Sequence, residues 1–371
     1  MKKLPYIDSL RGIAVLGVLL VHVNQHVEGL PSWLDAIAKQ GARGVQLFFI
    51  VSAFTLFLSM QQRRQESRPL VNFFIRRFFR IAPLFYTAIA FYAIQQAIAE
   101  PETFSVPQLL SVLTFTNSWN PFWVNGLVPG CWSISVEVMF YGVVPLLFQK
   151  IRNLQQSVGF TSLMLVMSLM TFPIMRKLDW IVDEAVREEF LFYWLPNQVA
   201  IFGLGFMLYF IVFQSGWVKG VQSSENPHLS QQAPASLLLA IALFLIVILP
   251  FGSYVYLPRH FMYGVAFVML ATALAMYPFR WLVNPFWCYL GRISFSAYLS
   301  HFVVLAAADA GLKAGLAALP FGMPAIAQLF LLLSLTLVGT CLISEVTFRW
   351  IEVPGQRLGK SIIGSSLAPS P

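Results

Sequence analysis

Ten apolar stretches, each close to the length that crosses a bilayer, dominate this sequence: residues 7–27, 44–60, 79–99, 131–149, 158–175, 191–214, 235–251, 260–278, 288–311 and 325–350. A helix rises about 1.5 Å per residue, so about 20 apolar residues cover a hydrocarbon core of about 30 Å. Backbone polar groups in lipid must bond inside the protein, which leaves helices or a closed barrel, and apolar runs of this length are helical. The expected fold class is therefore all-α: a polytopic transmembrane helical bundle of about ten spans. Composition agrees, with 58% hydrophobic and 11% charged among 371 residues, against about a quarter charged in a soluble domain. That balance excludes a soluble globular enzyme and a disordered chain. Segment 103–128, rich in Trp, Phe, Asn and Pro, reads as a re-entrant or interfacial element.

The formal net charge of +8 suggests nucleic acid until the charges are placed. Taking the spans in order, Lys2, Lys3, Arg11, Arg63, Arg64, Arg68, Arg76, Arg77, Arg80, Lys150, Arg152, Lys219, Arg280, Arg292, Arg349, Arg357 and Lys360 fall on one side, which is 17 of the 24 Lys and Arg. Lys39, Arg43, Arg176, Lys177, Arg187, Arg259 and Lys313 fall on the other. The positive-inside rule then places both termini in the cytoplasm. The basic residues set topology, and no nucleic-acid partner is expected. Lys2 and Lys3 before an apolar run resemble a signal peptide, but Asp8 and Arg11 interrupt the entry, so an uncleaved first span is expected. The domain reading is a single transmembrane domain over 1–356, with a polar loop at 218–234 and a short, disordered cytoplasmic tail at 357–371. The three cysteines, Cys131, Cys288 and Cys341, are too scattered for a disulfide framework or a thiolate metal site.

Ionisable and polar side chains inside the spans are costly and mark function. In the first span Arg11 and His22 are 11 residues apart, 20° beyond three full helical turns, so they share a face about 16 Å apart along the axis. A histidine here suits a general base; its alternative is a structural hydrogen bond between helices. In the run 63–80, RRQESRPLVNFFIRRFFR, Arg76, Arg77 and Arg80 border the third span, and Arg forks match phosphate; the alternative is an anchor to an anionic leaflet. In WSISVEVMFY, Ser133 and Glu137 are i,i+4 on one face of an otherwise apolar span. In GRISFSAYLSH, Ser294, Tyr298 and His301 form a polar stripe. His22, His26 and Glu28 do not match a metal-site spacing, and no metal is expected.

Taken in order, these motifs make the chain similar to the acyltransferase-3 family of integral membrane acyltransferases, over residues 5–356. Its Arg-x10-His opening is Arg11 and His22. GVQLFFIVSAF resembles the second-helix motif, FFIRRFFRIAPLFY the Arg-rich third-helix motif, WSISVEVMFY the Trp-Ser-x-x-x-Glu motif, GRISFSAYLSH the Gly-x-x-Ser…Tyr-Leu-x-His motif, and FRWIEVPGQR the closing Glu-x-Pro element. The second-helix motif departs from the family pattern, with Gln46 in place of an Asp and Ala53 in place of a Gly.

The resemblance implies transfer of an acyl group, most often acetyl, from cytoplasmic acyl-CoA (acetyl-CoA) to a hydroxyl of a surface carbohydrate such as O-antigen, peptidoglycan or another polysaccharide. No bound cofactor is implied, and the expected location is a bacterial inner membrane. In this reading His22 and Glu137 are catalytic: His22 is the base or a transient acyl acceptor, and Glu137 orients it. Arg11, Arg76, Arg77 and Arg80 hold the donor's phosphates, while Ser133, Ser294, Tyr298 and His301 hydrogen-bond the substrates. Partners would be acyl-CoA, the carbohydrate, the lipid bilayer, and further copies of the chain or glycan-assembly proteins. The rival class is a multi-pass transporter or flippase using the same Arg, Glu and His for substrate or protons. A third is a structural assembly subunit. Dependence on acyl-CoA separates the first from these.

Overall fold

The computed structural model describes residues 4–177, 181–214, 216, 218, 229–252, 257–317 and 323–365. Lys2, Lys3, Lys219, most of the polar loop 218–234 and the end of the tail, 366–371, lie outside the described residues. Among the described residues all regular structure is helical. The α-helices are α1 Pro5–Asn24, α2 Ser32–Lys39, α3 Gly44–Gln62, α4 Pro69–Ala99, α5 Val106–Leu113, α6 Cys131–Lys150, α7 Leu154–Lys177, α8 Glu184–Tyr193, α9 Leu195–Phe213, α10 Leu229–Ile248, α11 Arg259–Met276, α12 Pro285–Arg292, α13 Ser294–Ala317, α14 Ala325–Thr347 and α15 Val353–Ser365. By length and hydropathy they give 10 candidate membrane spans among the described residues, as the apolar runs imply.

Four details differ from the hydropathy reading. The third span starts at Pro69 rather than 79. Pro69 occupies the first helical position, where its missing N–H costs nothing, so the Arg-rich stretch is drawn into a helix of 31 residues. The ninth run is two helices: Asn284 caps α12, its side-chain oxygen accepting from the backbone of Phe286 and Trp287, and the helix stops at Ile293. The tenth passes through a π-turn at Phe348–Glu352. Pro354 cannot donate to the carbonyl four residues back and its ring crowds that carbonyl, so a wider turn relieves the contact. Finally, residues 357–365 are not a disordered tail but continue α15. Gly355 and Gly359 give α15 a bare strip, and a Cβ at Gly359 would lie 2.8 Å from the Cβ of Phe79 on α4.

The backbone divides into two compact units, one of residues 53–207 and 347–371, the other of residues 2–52 and 208–346. In the second, α1 is central. Val15 and Leu19 pack with Leu290 and Ala297, and Val23 and Val27 with Leu305, Leu329 and Leu332. The closest approach of α1 and α12 is made by backbone at two glycines. A Cβ at Gly12 would lie 2.3 Å from the carbonyl oxygen of Trp287, and one at Gly291 only 1.7 Å from that of Asp8.

In the first unit, Phe140 stacks on Phe202 with ring centroids 3.9 Å apart, and Phe57 lies 4.1 Å from Phe206. Here too sits the segment whose form the sequence leaves open. It folds as α5, a 3-10 turn at Asn117–Trp119 and a loop pinned to α6. The fully buried Asn117 donates to the Val124 carbonyl at 3.0 Å and to Cys131 Sγ at 3.4 Å, and accepts from Ser135 Oγ at 2.5 Å. A buried polar group stripped of its partner costs about 1–3 kcal/mol. Asn117→Ala orphans the Ser135 hydroxyl and leaves the Val124 carbonyl only the weak thiol donor of Cys131, at 3.7 Å. The expected result is a Tm several degrees below wild type in detergent, with Asn117→Asp falling between; an unchanged Tm for Asn117→Ala would contradict the anchoring role.

Candidate functional site

The unit built on α1 gathers a histidine pair. His22, half-buried near the end of α1, stands beside His301 of α13 with ring centroids 5.3 Å apart. Phe302 packs against both, at 4.5 Å from His22 and 4.1 Å from His301. His301 is wholly buried, and its Nδ1 lies 2.7 Å from the Tyr298 carbonyl. A carbonyl oxygen can only accept, so the proton sits on Nδ1 and Nε2 keeps the lone pair. That Nε2 has no hydrogen-bond partner among the described residues. His22 Nδ1 lies 3.1 Å from Gln25 Oε1, one turn on, which fixes its tautomer the same way. Two imidazoles thus stand side by side with Nδ1 protons committed and Nε2 atoms available as bases.

The polar stripe on α13 is present in part as read from spacing. The Tyr298 ring is 5.8 Å from His301 and 6.3 Å from Phe48, and Ser294 is buried at the start of the helix. Arg11 sits on α1 with its guanidinium 3.6 Å from Asp8. The sequence reading missed a neighbouring group. His26 Nδ1 is 2.9 Å from Asp309 Oδ2, and Lys313 donates to the same oxygen at 2.8 Å. The i,i+4 spacing of Asp309 and Lys313 was the available signal.

The other unit holds Glu137, Ser133 and the third-helix arginines. Tyr141, one turn beyond Glu137, donates to Glu137 Oε1 at 2.7 Å. The Arg77 guanidinium lies over the Tyr141 ring at 5.8 Å and over Phe73 at 5.6 Å, and Glu137 and Arg80 are both within its electrostatic reach. Arg77, Tyr141 and Glu137 therefore form one polar group. Ser133 shares the Glu137 face, and its hydroxyl donates to the Gly130 carbonyl at 3.0 Å.

Arg76, the neighbour of Arg77 in sequence, points elsewhere. It donates to both carboxylate oxygens of Glu66, at 3.2 and 3.0 Å. Glu66 also accepts from Arg63 at 3.0 Å and from Asn72 at 3.0 Å. The helix separates consecutive residues by 100°, so the apparent cluster of three arginines serves two distinct places. Burial works to raise the Glu66 carboxyl, but donation from Asn72, Arg63 and Arg76 outweighs it and holds the group below its ordinary value of 4.5. A depressed carboxyl contributes stability above its unfolded pKa and loses it as pH falls through the folded one. The Tm difference between wild type and Glu66→Gln is therefore expected to be full at neutral pH and to shrink below pH 4.5. A difference that does not vary with pH would show that the carboxylate form does not hold this loop.

Among the described residues no group of three or more His, Cys, Asp or Glu is arranged to hold a metal ion. Comparison with known proteins matches residues 4–345 to the family model described as an acyltransferase domain. The chain belongs to the acyltransferase-3 family. The acyltransferase domain accounts for nearly all of the chain, and the His pair and the Arg77–Tyr141–Glu137 group both lie within it. The chain is similar to the peptidoglycan O-acetyltransferase OatA of Listeria monocytogenes, 30% identical over 158 residues, which is 39% of this chain and 24% of that protein. It is also similar to the O-acetyltransferase OatA of Staphylococcus aureus, 22% identical over 377 residues, 96% of this chain and 58% of that protein. A putative O-acetyltransferase of Staphylococcus aureus, SACOL0978, is 21% identical over 384 residues, 97% of this chain and 58% of that protein. The chain thus spans less than two thirds of the length of these relatives. No solved structure matches it significantly.

Proposed function

We propose that this membrane acyltransferase domain carries an acetyl group from acyl-CoA to a hydroxyl of an envelope polysaccharide, in a bacterial inner membrane. The observation that carries this reading is the His22–His301 pair, whose Nδ1 protons are engaged and whose Nε2 atoms are left as bases. In this reading the acceptor hydroxyl gives its proton to His22 Nε2 as its oxygen attacks the thioester carbonyl. The new O–C bond forms, the C–S bond breaks, and the proton passes to the departing CoA thiolate. His301, buried and with its free lone pair on Nε2, supports the charge that develops on the His22 ring. Ser294 and Tyr298 hydrogen-bond the substrates, and Arg11 meets the donor's phosphates. In the other unit Arg77 and Arg80 recognise phosphate at one place and Arg76, beside Glu66, at another, Glu137 balances the Arg77 charge through Tyr141, and Ser133 positions that helix face.

The deciding experiment compares envelope glycans, by mass spectrometry and NMR, from cells with the gene, without it, and with the gene fed labelled acetyl precursor. O-acetyl esters that depend on the gene and carry the label are the expected result, and the acetylated sugar identifies the acceptor. Glycans displayed at the surface in altered amount but with no gene-dependent ester would favour export of an unmodified substrate and overturn the reading.

A further inference from the structure

Within the unit of residues 53–207 a cavity of about 260 Å³ is lined by Arg63, Arg64, Arg76 and Arg152, with Phe73 and Phe148 among its apolar walls. Small-molecule pockets start at about 300 Å³, so the space suits a compact charged group with a small apolar attachment. Four arginines line it, and one carboxylate, Glu66, which lies outside that lining, answers two of them: it pairs with Arg63 and Arg76, both at 3.0 Å. Arg64 and Arg152 have no acidic partner among the described residues. Cations gathered at a cavity repel one another, and screening by water weakens as the space closes. An anion relieves that repulsion, and planar forks at several angles fit the tetrahedral oxygens of a phosphate better than a single carboxylate.

We propose that this cavity binds a phosphate ester, and that Glu66, paired with Arg63 and Arg76 from outside the lining, competes with the phosphate for those two forks. The site differs from the Arg77–Tyr141–Glu137 group. It brings in Arg63, Arg64 and Arg152, of which Arg152 comes from the link between α6 and α7, 88 residues beyond Arg64 in sequence. The phosphate has two chemical sources: a soluble nucleotide ester such as CoA, or the headgroup of an anionic lipid. Only the first of these rests on the acyltransferase reading.

The test uses the full chain in nanodiscs of neutral phosphatidylcholine, with titration calorimetry of CoA, dephospho-CoA and inorganic pyrophosphate. In parallel, native mass spectrometry counts phosphatidylglycerol retained from mixed nanodiscs. The variants are Glu66→Gln, and Arg64→Gln combined with Arg152→Gln, each checked for a single monodisperse peak and a cooperative melt. Glu66→Gln is expected to tighten phosphate binding several-fold, a gain that misfolding does not produce. The double arginine variant is expected to weaken it at least about tenfold, equivalent to about 1.4 kcal/mol. Opposite shifts for CoA and pyrophosphate establish the soluble source. Opposite shifts confined to retained phosphatidylglycerol establish the lipid source. If folded variants leave every one of these ligands bound as in wild type, the proposal is overturned. Acetyl transfer is measured on the same samples. Transfer that persists without any binding shift sinks the cavity alone, whereas binding shifts without any transfer sink the acyltransferase reading alone.

Discussion

His22→Ala is expected to lower ester formation by about 10²–10⁴-fold, the span usual for loss of a positioned general base, while the protein accumulates in the membrane as before. His22 is half-buried and its ring packs on Phe302 and His301, so its removal opens space beside the pair without orphaning a buried charge. Gln25 holds the ring by one hydrogen bond of 3.1 Å. Gln25→Ala should therefore cost far less and act through the orientation of the imidazole, and it should be separable from His22→Ala by a changed pH–rate profile. Alkali-released acetate per tagged protein is the measurement. Transfer within tenfold of wild type in His22→Ala would remove the histidine from the reaction and leave it a packing role.

The second large effect is structural. Gly291→Ala is expected to prevent the protein from accumulating. Overpacked cores ordinarily lose about 1–3 kcal/mol because side chains can shift. At this crossing the obstacle is the Asp8 carbonyl oxygen, 1.7 Å from where the new Cβ would sit, and that oxygen and the Gly291 Cα bearing the Cβ both belong to helical backbone. Gly12→Ala, with its Cβ 2.3 Å from the Trp287 oxygen, should be damaging for the same reason. Gly311→Ala on α13 is the control, because nothing lies within 4 Å of its added methyl. Membrane yield and the melting temperature in detergent read the difference. A Gly291→Ala protein that melts like wild type would disprove the contact between α1 and α12.

Hydropathy made the spans legible because a bilayer leaves the chain few alternatives; the apolar runs and the helices agree closely for α1, α6 and α11. It failed where helix ends are set by something other than apolarity. The arginines after Pro69 read as loop because they are charged, yet proline at the first helical position and the apolar Phe73 and Phe85 carry the helix through them. The break at Ile293 has no proline or charge run to announce it. The end of the chain reads as polar and Ser-rich, and its docking on α4 depends on glycines meeting Phe79 and Pro83, which only a three-dimensional partner reveals.

In the candidate site, helical spacing showed that Arg11 and His22 share a face, and that Tyr298 and His301 lie one turn apart. It did not show that His301 would meet His22, since that depends on how α13 lies along α1. Nor did it separate Arg76 from Arg77. The clue was present, because Glu66 is the lone acid in a run of arginines and an unshielded carboxylate there draws whichever fork can reach it.

The glycine crossing also bears on how the histidine pair can move. At Gly12 and Gly291 the two helices touch through backbone, and no side chain stands between them there to act as a bearing. Sliding α1 along its axis by one turn would drive Asp8 and Gly12 into the wall of α12. The histidine carried by α1 is therefore moored at a fixed depth relative to α12, and any excursion must take both helices as one piece. A piston that ferries a group on His22 from one face of the membrane to the other is incompatible with this mooring. On the proposed function, the two substrates travel to the imidazole, each along its own approach.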